Sequence, residues 1–360
     1  MTRIRSPRGL LLIGVMIFSL VLASCTGDSN EDSNATEGMN GAEGAATLDG
    51  PITFADLDWV SPVVHNRVAQ FILENGYGYE TDAVFGTTQP LFQGMVQGDI
   101  DVTMEIWPEQ LPPFEPAIAD GDIVDLGENF PEAVQGWWVP TYMIEGDAER
   151  GIEPIAPDLR SIDDLPQYAD LFQDPEDPSQ GRIYNGVPGW ELTEINEAKI
   201  QAYGLDEHYN SFLPGSSAAL MTSLTSAYDQ GEPWLGFLWQ PHWIFAEVEM
   251  TKLEEPEYTE ECWEQVYEGE VACAYPEVDV HISANADFAE QAPEVIEFLE
   301  NYETTKEQTN AAMFYMEENG VEADAAAIWF LQEYEEQWTG WVSADVAEKV
   351  KDALSTAQGS

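Results

Sequence analysis

Helical runs that stop at a glycine, followed by short apolar runs, constrain this chain more than any other feature. Residues 89–97 end at Gly98 before an apolar run at 100–106, and residues 217–230 end at Gly231 before another at 234–239. A third helical run, 192–203, ends at Gly204. Glycine takes the left-handed conformation that closes a helix at little steric cost. Upstream, residues 52–57 alternate weakly and precede a helix with Ser61 at its N-cap, Pro62 at N1 and Asn75-Gly76 at its end. Strand, helix, helix, strand with short glycine-marked turns predicts an α/β fold on a mostly parallel sheet. Further strands are predicted at 137–144 and 279–284, and four helices near 291–303, 305–319, 323–337 and 343–355. No repeat of about 20–50 residues is visible.

The chain opens differently. Arg3, Arg5 and Arg8 precede an apolar run from Leu10 to Ala23, then Leu22-Ala23-Ser24-Cys25. A basic start, a short hydrophobic stretch and small residues before a cut predict an export signal over 1–24, too short for the ~20 residues of a spanning helix. Leu-Ala-Ser-Cys resembles a bacterial lipobox, which implies a lipidated Cys25 as the mature N-terminus, on the extracytoplasmic face of the cell membrane. Residues 26–50 are Gly, Ala, Asn, Asp, Glu and Ser with almost nothing apolar, so 25–50 reads as a solvated tether. About 310 residues remain, enough for two α/β lobes. The other two cysteines, Cys262 and Cys273, are expected to form a disulfide in an exported chain, closing a short loop and contributing about 3 kcal/mol. A zinc site would need further ligands nearby, so no metal is expected, and no cofactor either.

Charge narrows the partners. The chain has 12 Lys and Arg against 68 Asp and Glu, a net charge of −56, and removal of 1–24 takes away three Arg and no acid. Such a field repels nucleic acid and anionic lipid. The acids run through the whole folded region, which therefore needs screening, and in molar salt the Debye length is only ~3 Å. A cell living in brine, which would import compatible solutes, accounts for this composition.

Five of the 12 tryptophans lie in short motifs outside the helical runs. They are Trp59 in Asp56-Leu57-Asp58-Trp59, Trp107 in Glu105-Ile106-Trp107-Pro108, Trp137 in Gly136-Trp137-Trp138, Trp190 in Pro188-Gly189-Trp190, and Trp239 in Trp239-Gln240-Pro241-His242-Trp243. A quaternary ammonium has a permanent charge and no N–H to donate, so aromatic faces hold it, at roughly 0.5–2 kcal/mol each. Asp58, Glu105, Glu109 and Glu191 flank these rings. Glu105 is the best cation partner among them, because its two-residue spacing from Trp107 puts both on one face of a strand.

These motifs, with Gln97-Gly98-Asp99-Ile100-Asp101-Val102 and the ending Gln337-Trp338-Thr339-Gly340-Trp341-Val342, resemble the glycine betaine, proline betaine and choline substrate-binding proteins of ABC importers over roughly residues 51–345. The resemblance implies a monomeric two-lobed periplasmic-binding-protein fold of type II, each lobe a mostly parallel sheet flanked by helices, with the ligand in the cleft. Lobe 1 would be 51–135 plus 278–360, and lobe 2 136–277. It implies binding without catalysis, and delivery to an ABC permease and its ATPase. Trp59 matches a box residue of the choline type, and Trp107 and Trp239 match box residues in more than one branch. Trp190 matches the box Trp of the Pro-Gly-Trp branch, and Trp137 falls where the choline type has a box Tyr. For the ligand carboxylate, the resemblance points to His242 and to the backbone N–H groups of Glu191 and Leu192 at a helix start. Two other carboxylate donors of the family are replaced here, by Pro62 and Leu111.

Choline or carnitine in the same fold is the nearest alternative. A sugar-binding protein or a glycoside hydrolase would also use Trp platforms and acids. The chain has no nucleophile elbow, phosphate loop or metal spacing, and His65, His208, His242 and His281 are scattered.

Overall fold

The computed structural model describes Leu48 and residues 50–357. The proposed signal, Cys25 and nearly all of the tether lie outside the described residues. Among the described residues there are nine strands: β1 (Ile52–Leu57), β2 (Thr81–Gly86), β3 (Val102–Ile106), β4 (Ile123–Pro140), β5 (Gly181–Tyr184), β6 (Tyr209–Phe212), β7 (Gly236–Gln240), β8 (Met250–Lys252) and β9 (Val278–Asn285). Their order is β2-β1-β3-β9-β4-β7-β5-β6, with β8 also on β4.

Two parallel groups, β2-β1-β3 and β7-β5-β6, supply the parallel part, while β9 and β4 run antiparallel between them and β8 pairs antiparallel with β4. The 18-residue β4 joins the halves. Its first part, to Ala133, pairs with β9, and from Val134 onward it pairs with β7. β1 shows why helices cover both faces of the first half. Ile52 and Phe54 face a core shared with Val64, Val68, Phe330 and Trp338, while Ala55 and Leu57, on the opposite face, meet Leu91, Phe92 and Met95. The second half has its own core around Trp137, Ile183, Leu220, Leu224 and Phe237.

Several boundaries differ from the sequence reading. The first helix starts at Val60 with extended Trp59 as its N-cap, so Ser61 and Pro62 lie inside the first turn, where a missing N–H costs nothing. It runs through Asn75-Gly76 in a wide turn, Leu73–Tyr77, and stops at Gly78 in the left-handed conformation. The strand expected at 137–144 begins at Ile123 and ends at Pro140, and Tyr142–Glu145 is helical. β2, β5 and β6 were not expected. β2 lies at the sheet edge and is half exposed, and β5 and β6 have four residues each, so none shows a clear apolar period. By contrast, the helix Ser217–Gln230 with left-handed Gly231 follows the prediction residue for residue.

Candidate functional site

Open α/β sheets bind ligands beyond the carboxyl ends of their strands, where backbone and loops converge. Here Trp59 follows β1, Trp107 follows β3, Trp190 follows β5 in the loop before the helix Glu191–Ala202, and Trp239 lies near the end of β7. Together with Thr88, Glu105, Ile106, Gln110, Leu111, Gln135, Glu191 and Leu192, these four rings line one cavity. It measures ≈ 40 Å³. One water needs about 10–15 Å³ on the same measure, so the space suits a compact ligand. Trp190 meets Trp59 edge to face at 5.6 Å and Trp239 at 5.3 Å, so three of the rings brace one another.

The loop bearing Trp190 depends on Gly189. Its φ is +96°, and a Cβ there would lie 2.4 Å from the Thr87 hydroxyl. The close approach lets Gln89 donate its backbone N–H to the Gly189 carbonyl (3.2 Å) and its side-chain amide to Glu191 (2.8 Å). Across the same cleft, Trp263 Nε1 donates to the Glu109 carbonyl at 3.0 Å and the Tyr267 hydroxyl to the Gln110 carbonyl at 3.4 Å. Trp263 and Tyr267 sit in the loop tied by the Cys262–Cys273 disulfide.

Glu105 is 1% exposed, and burial pushes its carboxyl up to about 7, opposed by Ser61 and the indoles of Trp59 and Trp107. The Trp59 bond, Nε1 to Oε2 at 2.8 Å, has full hydrogen-bond geometry, while Oε1 has no partner among the described residues. The N–H groups of Gln110 Nε2, Gln135 Nε2 and Trp190 Nε1 are buried and unpartnered as well. The backbone N–H groups of Glu191 and Leu192, in the first turn of their helix, have no intrahelical acceptor.

Two expected residues are not in this cavity. Trp137 is fully buried and packs on Phe237 at 6.3 Å. It pairs with Phe237 in the β4–β7 ladder, two pairs further from the cavity than the Gln135–Trp239 pair, and its ring lies in the second core. His242 stacks its edge on Trp239 at 4.9 Å and lines a neighbouring cleft of ≈ 620 Å³ with Asp58, Trp59 and Trp243. Its Nδ1 accepts the Ile244 N–H at 3.2 Å, and burial lowers the ring to about 3, so it is neutral. Asp58 lines that second cleft too and accepts the Ser217 N–H at 3.4 Å, and Glu109 is exposed.

Thr88, Gln110 and Gln135 were not anticipated. Two of them left a trace in the sequence: Gln110 follows Trp107 by one 3₁₀ turn, where i and i+3 align, and Gln135 precedes Trp137 by two residues on a strand.

Two α/β halves joined through β4, with a Trp-lined cavity at the strand ends between them, define a two-lobed periplasmic-binding-protein fold. The chain belongs to the family of substrate-binding domains of ABC-type glycine betaine transport systems, matched over residues 50–333. A glycine betaine-binding periplasmic protein of Dickeya dadantii, OusX, is 33% identical over 79 residues, 22% of this chain. That match spans only 23% of the relative's length. Among solved structures, the glycine betaine/L-proline-binding protein ProX of Borrelia burgdorferi superposes with a TM-score of 0.67 at 18% identity, over 83% of this chain and 99% of that one. Lactococcal OpuAC, closed on glycine betaine, gives 0.63 at 18% identity, over 82% and 100%.

Proposed function

We propose that this chain captures a small quaternary-ammonium solute, glycine betaine or proline betaine, and delivers it unchanged to an ABC permease and its ATPase. The observation that carries the reading is the meeting of Trp59, Trp107, Trp190 and Trp239, from four separate segments, around one compact cavity. Family membership and the glycine betaine named for OusX and OpuAC support it. Lobe 1 would comprise 51–135 plus 278–360 and lobe 2 136–277, closing on the ligand. The protein would act as a monomer outside the cytoplasmic membrane, anchored by lipid on Cys25, in a cell that lives in brine. No helix among the described residues is long and apolar enough to cross a membrane.

Choline is the second reading, favoured by Glu105, whose unpartnered Oε1 would attract a net cation. Calorimetry in molar NaCl with glycine betaine, proline betaine, choline, carnitine and disaccharides tests both. Sub-millimolar binding of a quaternary amine and none of sugar is expected, and heat from the sugars alone would overturn the proposal.

A further inference from the structure

Two glutamine side chains beside the Trp rings are out of place in a purely aromatic cage. Gln110 is 4% exposed and Gln135 1% exposed, both line the cavity, and the Nε2 of each has no acceptor among the described residues. A buried N–H2 group without an acceptor is costly, and folded chains rarely tolerate one unless something else satisfies it. Here two come from distant segments to the same small space. Gln110 closes the turn Pro108–Gln110 directly after Trp107, and Gln135 stands opposite Trp239 in the β4–β7 register. Each glutamine is thus placed beside a cage tryptophan, and both line the cavity.

We propose that the side-chain amides of Gln110 and Gln135 receive the carboxylate of a zwitterionic ligand whose ammonium end lies among the Trp rings. They would be the residues that separate betaines from choline. This assignment rests on the quaternary-amine reading of the cavity. A carboxylate has two oxygens able to accept about four hydrogen bonds, which matches two amides plus the free indole N–H of Trp190, itself part of the lining. Among the described residues no Lys or Arg lines the cavity, so neutral donors meet the anionic end. A fixed cation there would instead oppose the ammonium of the same small molecule. Choline carries a single hydroxyl and leaves most of these donors unmet. His242, which lines the neighbouring cleft, has no part in this contact.

The test is titration of glycine betaine and choline, in molar NaCl, into the parent chain and the Gln110→Met and Gln135→Met variants. Methionine keeps the length of the side chain and removes its donors. Each variant should lose about tenfold or more in glycine betaine affinity and change choline affinity by no more than about threefold. Gln110→Glu and Gln135→Glu, which set a carboxylate against a carboxylate, should weaken betaine further and leave choline equal or tighter. They read the same contrast should a methionine variant fail to fold, with ligand-free melting of every variant as the folding control. Equal losses for both ligands, or no loss for betaine, would overturn the assignment while leaving the cage intact. A parent chain that binds choline and no betaine would overturn it too. A folded parent that binds neither ligand would overturn the quaternary-amine reading itself, and this assignment with it.

Discussion

The indole of Trp59 donates to the buried carboxylate of Glu105 at 2.8 Å, so an acid on β3 fixes the rotation of an aromatic wall that follows β1. That acid is also the group in the cavity most sensitive to a bound cation. Burial holds its carboxyl up to about 7, against an ordinary 4.5. A cation beside it favours the ionised form. Binding of choline near pH 7 should therefore release protons, read as a dependence of the calorimetric heat on the ionisation enthalpy of the buffer. The effect should fade by about pH 9, where Glu105 is already ionised, and be absent from Glu105→Gln. The same raised value has a stability consequence. The folded chain binds more protons at Glu105 than the unfolded chain between pH 4.5 and about 7, so this group lowers ligand-free stability as pH rises through that window.

Cage and packing tryptophans should separate by substitution. Trp239→Leu should cost about 1–2 kcal/mol of quaternary-amine affinity, with Trp239→Phe in between, because leucine keeps apolar bulk and loses the ring's negative face. Trp137→Leu should leave affinity nearly unchanged and lower stability by about 2–4 kcal/mol, since that ring is wholly within the second core. Paired titration and denaturant unfolding would show it, and equal affinity losses at both positions would contradict the placement.

Acid should weaken the fold through two histidines. Burial lowers both His65 and His242 to about 3, from 6.5. His65 lies between the Tyr302 hydroxyl at 2.8 Å and the Thr309 hydroxyl at 3.2 Å. A folded value below the unfolded one means that their contribution is complete above pH 6.5 and is lost as pH falls toward about 3, at up to about 1.4 kcal/mol per pH unit for each ring. His242→Gln should show a smaller drop in stability than the parent between pH 7 and pH 5. The surface acids respond alike in both chains, so the difference isolates the histidine.

The disulfide loop should govern ligand release. Trp263 and Tyr267, held between Cys262 and Cys273, bond across the cleft to the turn that carries Gln110. Replacing both cysteines by serine frees the loop and removes about 3 kcal/mol of stability. Ligand dissociation, followed by tryptophan fluorescence after rapid dilution, should become several-fold faster with little change in the association rate.

Folding should require salt. The chain has 68 acids against 12 Lys and Arg, and among the described residues only a few acids pair with a cation, as in Arg67–Asp56, Arg182–Asp174 and Lys199–Glu255. Melting temperature should rise clearly from low to molar NaCl as screening shortens the repulsion. A flat response would mean that the acids are compensated locally.

Much of this protein was legible without coordinates, and for a physical reason. Glycine stops, apolar periods and short motifs act over a few residues, so the helix Ser217–Gln230 and the motifs of Trp59, Trp107, Trp190 and Trp239 could be read directly. β2, β5 and β6 could not, because edge position and parallel pairing sustain strands whose own sequences carry little pattern. The site divided along the same line. Sequence determined which rings stand outside the helices, and the family they resemble, but not which segments meet. Only the β4–β7 register put Gln135 beside Trp239 at the cavity and Trp137 two pairs deeper, and only the tertiary structure set His242 in the neighbouring cleft. A strand's side chains alternate by local geometry. Which member of a face reaches the ligand is set by where the two sheet halves end, and that is a property of the whole fold.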